Sequence, residues 1–250
     1  MLVVVSPAKK LDMDPVAGVQ PTQPMFPERT RELVTEAAKL TSGELEKLMK
    51  ISPNLAKLNQ QRFSDFGSQN RKPAAFAFAG DTFQGLEVAT LDADALRWAQ
   101  EHLRILSGLY GVLRPLDEIE PYRLEMGSRL KTEHGKNLYE YWGSELALEL
   151  STQAKTTKST AVINCASQEY FQAVDTRSLA VPVISPVFME NTEKGPKIIS
   201  FYAKRARGAM ARFVVSNRIA TPAALCDFDA GGYRYEPDLS SENKPVFLRG

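Results

Sequence analysis

Seven cations, Lys194, Lys197, Lys204, Arg205, Arg207, Arg212 and Arg218, fall in one stretch without an Asp or Glu, and the next acid is Asp227. The whole chain balances 31 Lys and Arg against 30 Asp and Glu, a formal net charge of +1. The basic stretch is therefore a local concentration. A one-signed patch on a balanced molecule is the footprint of a polyanion partner, with nucleic acid the leading candidate. On a 100° wheel, Ala203, Ala206, Met210, Phe213 and Val214 make one apolar stripe. Lys204, Arg205 and Arg212 fall opposite it, Arg207 flanks it, and Gly208 leaves room for another backbone to come close. The planar fork of arginine suits bidentate phosphate contact. Each phosphate neutralised on B-DNA releases roughly 0.9 counterion, so such binding is strongly salt dependent. The competing reading is a solvated helix face whose cations pair with acids elsewhere.

A second candidate is Ser107-Gly108-Leu109-Tyr110-Gly111 with Arg114 close behind. Two glycines bracketing apolar residues after a helix is the logic of a helix-hairpin-helix element. The chain passes close to a phosphate, and free N–H groups at the start of the next helix receive it. A helix-ending glycine followed by a plain turn explains the same residues.

A third constellation competes with both. Val3-Val4-Val5 runs into Ser6-Pro7-Ala8-Lys9-Lys10, Val162-Ile163 into Asn164 through Tyr170, and Ile198-Ile199 into Ser200 and the basic helix. Ligand sites gather at the carboxyl ends of parallel strands. Ser6, Lys9, Ser167, Glu169 and Lys204, with Arg123 and Glu125, would then face one cationic cleft. An enzyme acting on a nucleotide or nucleic-acid component is the function that set supports, with Ser6, Lys9, Glu169 and Lys204 as its catalytic candidates. No Walker loop or dinucleotide fingerprint is present. His102 and His134 have no triad partners, and two His with distant Cys165 and Cys226 lack ligand spacing. No cofactor and no metal are expected.

These residues need elements to hold them. A continuous β-branched run predicts a buried strand at Leu2–Val5, and prolines at 15, 21, 24 and 27 predict an irregular excursion. Helices are predicted over 28–40, after the capping box of Thr41 and Glu44, and after Ser52-Pro53. The Ala–Phe alternation of 74–79 predicts a strand. Further helices are predicted from Asp92 to Leu106, Gly135 to Leu150 and Ala203 to Asn217, with a short one after Thr221-Pro222. Strands are predicted at 161–163, 183–188 and 197–201, and a hairpin or edge strands around Tyr233 and Phe247. Trp98 and Trp142 read as core. Strands and helices interleaved without a linker predict one α/β (mixed α+β) domain over 1–250, a mixed central sheet flanked by helices. Two cysteines fit a reducing compartment, and no apolar run approaches the ~20 residues of a membrane span. A cytoplasmic protein without membrane partners is expected.

Ser6-Pro7-Ala8-Lys9, the run from Leu106 to Asp117, Pro121-Tyr122-Arg123-Leu124-Glu125-Met126-Gly127, and Ile198 to Lys204 with Arg207-Gly208 occur in this order. Together they closely resemble the YaaA family of bacterial peroxide stress proteins, over residues 1 to about 248. The resemblance implies a cytoplasmic role in surviving hydrogen peroxide, tied to low unincorporated iron and so to less iron-driven damage. It also implies a single-domain mixed α/β fold of unusual topology, a positively charged cleft and a DNA-binding helix-hairpin-helix element. The best match to that element is the helix from Asp92 with the Gly108–Arg114 hairpin. Contacts with duplex or structured DNA, mainly to phosphates, are expected from Lys9, Lys10, Arg114 and Arg123, and from Ser107, Gly108, Leu109, Tyr110 and Gly111 of the hairpin. They are also expected from Lys204, Arg205, Arg207 and Arg212, these four placed by charge and periodicity and not by the resemblance. Little base readout is expected.

Overall fold

The computed structural model describes residues 1–250. Chain order begins β1 (Leu2–Val5), α1 (Pro27–Ala38), α2 (Ser42–Met49), α3 (Pro53–Ser64), β2 (Lys72–Pro73), α4 (Ala74–Ala77), α5 (Asp81–Leu86) and α6 (Ala93–His102). It continues β3 (Leu103–Ser107), β4 (Gly111–Leu113), β5 (Glu118–Ile119), α7 (Leu138–Trp142), α8 (Glu145–Thr156), β6 (Val162–Cys165) and α9 (Gln168–Phe171). The last elements are β7 (Val183–Ile184), β8 (Val187–Glu190), α10 (Ser200–Ser216), β9 (Arg234–Tyr235) and β10 (Val246–Arg249).

Strand β1 is buried on both faces, as its apolar run requires. It lies between β3 and β6, parallel to each, in a five-stranded sheet ordered β4-β3-β1-β6-β7. Only β4 runs antiparallel, folded back on β3. A three-stranded sheet, β8-β10-β9, and the β2-β5 pair complete a mixed α/β architecture. One cluster of 61 buried residues runs through it. The expected capping box opens α2: Thr41 Oγ1 accepts from Glu44 N at 3.3 Å, and Thr41 N donates to Glu44 Oε2 at 2.8 Å. Trp142 is buried, its indole donating to the Gly108 carbonyl.

Several elements differ from expectation, each for a packing reason. Residues 74–77 are helical, with Phe78 N closing the turn on Ala74 O. The helix from Asp92 stops at His102, because Leu103 to Ile105 pair with Val3 to Val5. Arg104 makes that switch tenable. Its guanidinium donates to the carbonyls of Gln100 (3.0 Å) and Glu101 (2.8 Å), capping α6 while buried. Burial pulls its pKa down to about 10. Gly143 and Ser144 split the helix expected over 135–150 into α7 and α8, and Ser185-Pro186 splits the strand expected over 183–188. Residues 198–201 are not a strand; Lys197 makes one bridge to Glu190, and α10 begins at Ser200.

Helix α10 packs on β1 and β6 and crosses α5 backbone to backbone. A Cβ on Gly208 would collide with the Thr82 carbonyl oxygen, and one on Gly85 with that of Arg205. The expected close approach at Gly208 is thus made by α5. Gly208→Ala should destabilise the fold by about 3 kcal/mol. Gly43→Ala, in open space on α2, should stabilise it by roughly 0.4–1 kcal/mol. Denaturant melts of the two variants measure both signs.

Candidate nucleic-acid interface

The glycine segment is a buried β-hairpin, not a helix-hairpin-helix. Ser107 pairs with Gly111, whose φ of 71° makes the turn. The N–H groups of Leu109 and Tyr110 are taken by Ser107 Oγ at 3.2 and 2.9 Å, and Tyr122 OH lies 2.6 Å from the same oxygen. Ser107, Gly108, Leu109, Tyr110 and Gly111 are all buried, so no phosphate reaches them. Gly108 serves a different close approach, since a Cβ there would strike the Leu124 carbonyl. The apolar run that suggested an anchored hairpin belongs to the sheet instead. Two helices joined by a short turn do occur at α2 and α3. Lys50 bridges them at a φ of 51°, with Lys47, Lys50 and Lys57 exposed.

Arg114 is half-buried and already engaged within the fold. Its Nε and Nη2 both donate to Asp117 Oδ1, at 3.0 and 2.9 Å, and its backbone N donates to Oδ2 at 2.7 Å. Asp117 is fully buried and takes a further bond from Thr22. Removing that carboxylate strands a guanidinium, which is why this pair belongs to stability.

The carboxyl edge of the parallel sheet is better supplied. Register pairs Val5 with Cys165, so the residues that follow meet: Ser6 Oγ accepts from Ser167 N at 2.8 Å and donates to Ser167 Oγ at 3.2 Å. The chain leaves β1 for β3 on one side and later returns to β6 on the other. That reversal is the switch point where open α/β sheets bind ligands. Two expected cations there are paired, because Lys9 Nζ lies 3.3 Å and Arg123 Nη2 2.9 Å from Glu125 Oε1. Glu125 Oε2 is buried without a partner. Glu169 Oε1 accepts from Gly127 N at 3.1 Å. Lys9, Arg123 and Glu125 line a cleft of only about 20 Å³, and Ser6, Glu169 and Lys204 are not in its wall. The four candidate catalytic residues therefore share no principal cavity.

Helix α10 runs against the direction of β1. Its carboxyl end leads to Ile219, whose carbonyl takes the amino group of Met1, while Arg207 lies near Cys165 at the far end of β6. Its amino-terminal half thus stands at the carboxyl edge. Ala203, Ala206, Met210, Ala211, Val214 and Val215 are buried, which holds the expected stripe and turns the cations outward. They diverge. Arg207 is half-buried and lines a cavity of about 1030 Å³ with Asn164, Ser185 and Lys244. Arg205 and Arg212 line a separate groove of about 620 Å³ with Phe201, Tyr202 and Arg249. Arg212 caps α5, donating to the carbonyls of Leu86 and Glu87 at 3.0 and 2.9 Å. Lys10, Lys204 and Arg205 remain exposed.

The start of α10 went unread as a surface. Ile199 offers no side-chain cap and the first turn holds no acid, so helix N–H donors face outward with the positive end of the dipole. Ile198 (52% exposed), Ile199, Phe201 (53%) and Tyr202 surround them. Arg249 stacks 4.3 Å from the Tyr202 ring centroid. The available signal was an apolar run, Ile198 to Tyr202 broken only by Ser200, entering a basic helix.

A family model described as peroxide stress protein YaaA matches residues 1–239. The chain belongs to that family. Similar proteins, each described as a UPF0246 protein, come from Ruegeria pomeroyi (56% identical, all of this chain and 98% of the relative) and Roseobacter denitrificans (57%, 100% and 98%). Another comes from Jannaschia sp. (54%, 100% and 97%). In a peroxide stress family, thiols are natural suspects, yet Cys165 is fully enclosed. Burial pushes its thiol up to about 12, with Arg207 pulling weakly the other way. The thiol stays protonated at neutral pH, and only the thiolate is an efficient nucleophile.

Two outcomes follow from this geometry. Iodoacetamide should label half-buried Cys226 in the native protein and Cys165 only after unfolding, as read by peptide mass spectrometry. Asp117→Asn should lower stability by about 2 kcal/mol, while Arg114→Gln leaves DNA affinity unchanged in an anisotropy titration.

Proposed function

We propose that this protein serves the peroxide response by binding DNA in the cytoplasm, with little sequence preference, through the amino-terminal turn of α10. The carrying observation is that turn: uncapped and acid-free, flanked by unpaired Lys204 and Arg205, with Phe201 and Tyr202 exposed beside them. Free N–H groups and cations suit phosphate. Exposed aromatic rings suit bases that are not held in a duplex, since every base offers a π-face. The reading therefore favours single-stranded, frayed or structured DNA over a regular duplex. Covering such exposed bases is a direct way to limit oxidative damage. The link to iron rests on family resemblance. No group of three or more His, Cys, Asp or Glu side chains is placed to hold a metal ion, and no helix is long and apolar enough to cross a membrane.

Anisotropy of labelled single-stranded and duplex oligonucleotides, titrated between about 50 and 200 mM salt, tests the proposal. Affinity should fall steeply with salt. The double variant Lys204→Glu/Arg205→Glu should weaken both substrates at least about tenfold. Phe201→Ala should weaken the single strand by about 1–3 kcal/mol and the duplex less. A flat salt response sinks the proposal. Loss on Lys50→Glu/Lys57→Glu, with the α10 variants intact, moves the interface to the α2–α3 turn and overturns the placement.

A further inference from the structure

A cavity of about 1030 Å³ lies apart from the exposed face of α10 and has a different chemistry. Its floor is the carboxyl ends of β6 and β7, where Asn164 Nδ2 donates to Ser185 Oγ at 3.3 Å. Arg207, Arg177 and Lys244 stand in its wall against one carboxylate, Asp175. That carboxylate is already held by Arg177 at 2.9 Å and Ser178 at 2.9 Å, bonds that keep its pKa below the ordinary value. Arg207 and Lys244 consequently have no acid.

Arg207 is the informative residue. It is half-buried, makes no hydrogen bond or ion pair with the protein, and opens to the cavity. By contrast, buried Arg104 has four acceptors. Burial is also the chief cause that draws the Arg207 pKa below its ordinary value. An unpaired fork that is desolvated, yet open to a cavity, awaits an anion with two acceptor oxygens. The remaining wall is unlike a bare ion site. A space of about 1030 Å³ exceeds what a phosphate needs and matches a drug-sized ligand. Tyr139 and Phe171 supply aromatic surface, and Gln168 and Gln172 supply amides able to pair with base edges.

We propose that this cavity is a binding site for a 5′-phosphorylated nucleotide, its phosphate on Arg207 and Lys244 and its base against Phe171, Tyr139 and the glutamines. The same chemistry is offered by a free mononucleotide and by the phosphorylated end of a DNA strand. The site does not depend on α10's outer face binding DNA.

Calorimetric titration of the intact protein with AMP, GMP, CMP and UMP, with adenosine, and with inorganic phosphate tests it. At least one nucleotide should bind about tenfold or more tighter than either adenosine or phosphate. Arg207→Met should weaken it about tenfold or more, Arg207→Lys less, and Lys39→Ala just past α1 not at all. An oligonucleotide carrying a 5′-phosphate, compared with its unphosphorylated twin, separates the two sources: preference for the phosphorylated end that Arg207→Met abolishes assigns strand ends, and binding of AMP alone assigns the free nucleotide. If Arg207→Met fails to fold, Lys244→Ala carries the same expectation. No heat with any nucleotide, affinity indifferent to both variants, or phosphate binding as tightly as nucleotide would each overturn the proposal.

Discussion

Strand β1 has no solvent on either face and a parallel partner on each edge, and the rest of the molecule is arranged around that enclosure. Four short apolar residues cannot stay dry alone. They need β3 and β6 beside them, α10 among the helices over them, and a chain that leaves on one side and returns on the other. Short parallel strands also have ends, and these ends meet. Ser6 and Ser167 are bonded to each other because Val5 and Cys165 are in register one step earlier. The same enclosure explains the glycines of α5 and α10, where a Cβ would force apart two helices whose backbones touch.

Charge pairing then decides which cations have any work outside the fold. Arg104 and Arg212 both serve as caps, delivering N–H groups to carbonyls that α6 and α5 leave unbonded. Arg114 is held by buried Asp117, and Lys9 and Arg123 by Glu125. Forming such a pair gains little over leaving both charges in water, but removing one partner from a buried pair costs stability because the other charge is left uncompensated. Among the cations left without an acid are three on α10. Lys204 and Arg205 reach solvent, and Arg207 reaches a cavity; three basic positions within one turn thus serve two surfaces, because a helix turns 100° per residue.

The exposed apolar residues at the start of α10 make sense against this background. The chain has ample opportunity to bury Ile198, Ile199, Phe201 and Tyr202 in a core that already holds 61 residues. They stay outside beside uncapped helix donors instead. An apolar patch rimmed by cations is the feature on which the proposed contact with unpaired bases rests.

The amino-acid sequence alone determined the α/β class, the buried first strand, the capping box at Thr41, the helical stripe of α10 and the close approach at Gly208. Each depends on local periodicity or on one residue's conformational freedom, so neighbours in sequence suffice to read it. Family membership was legible for a related reason, since long motifs in order carry more information than any single element. Tertiary structure alone decided that Leu103–Ser107 is a strand. Its apolar spacing fits a helix equally well, and only the vacant edge of β1 distinguishes them. It also decided which cations are free. Asp117 and Glu125 quench their arginines at short spacing in turns whose geometry no pattern specifies, while Arg207 lies unpaired because the fold brings no carboxylate to it.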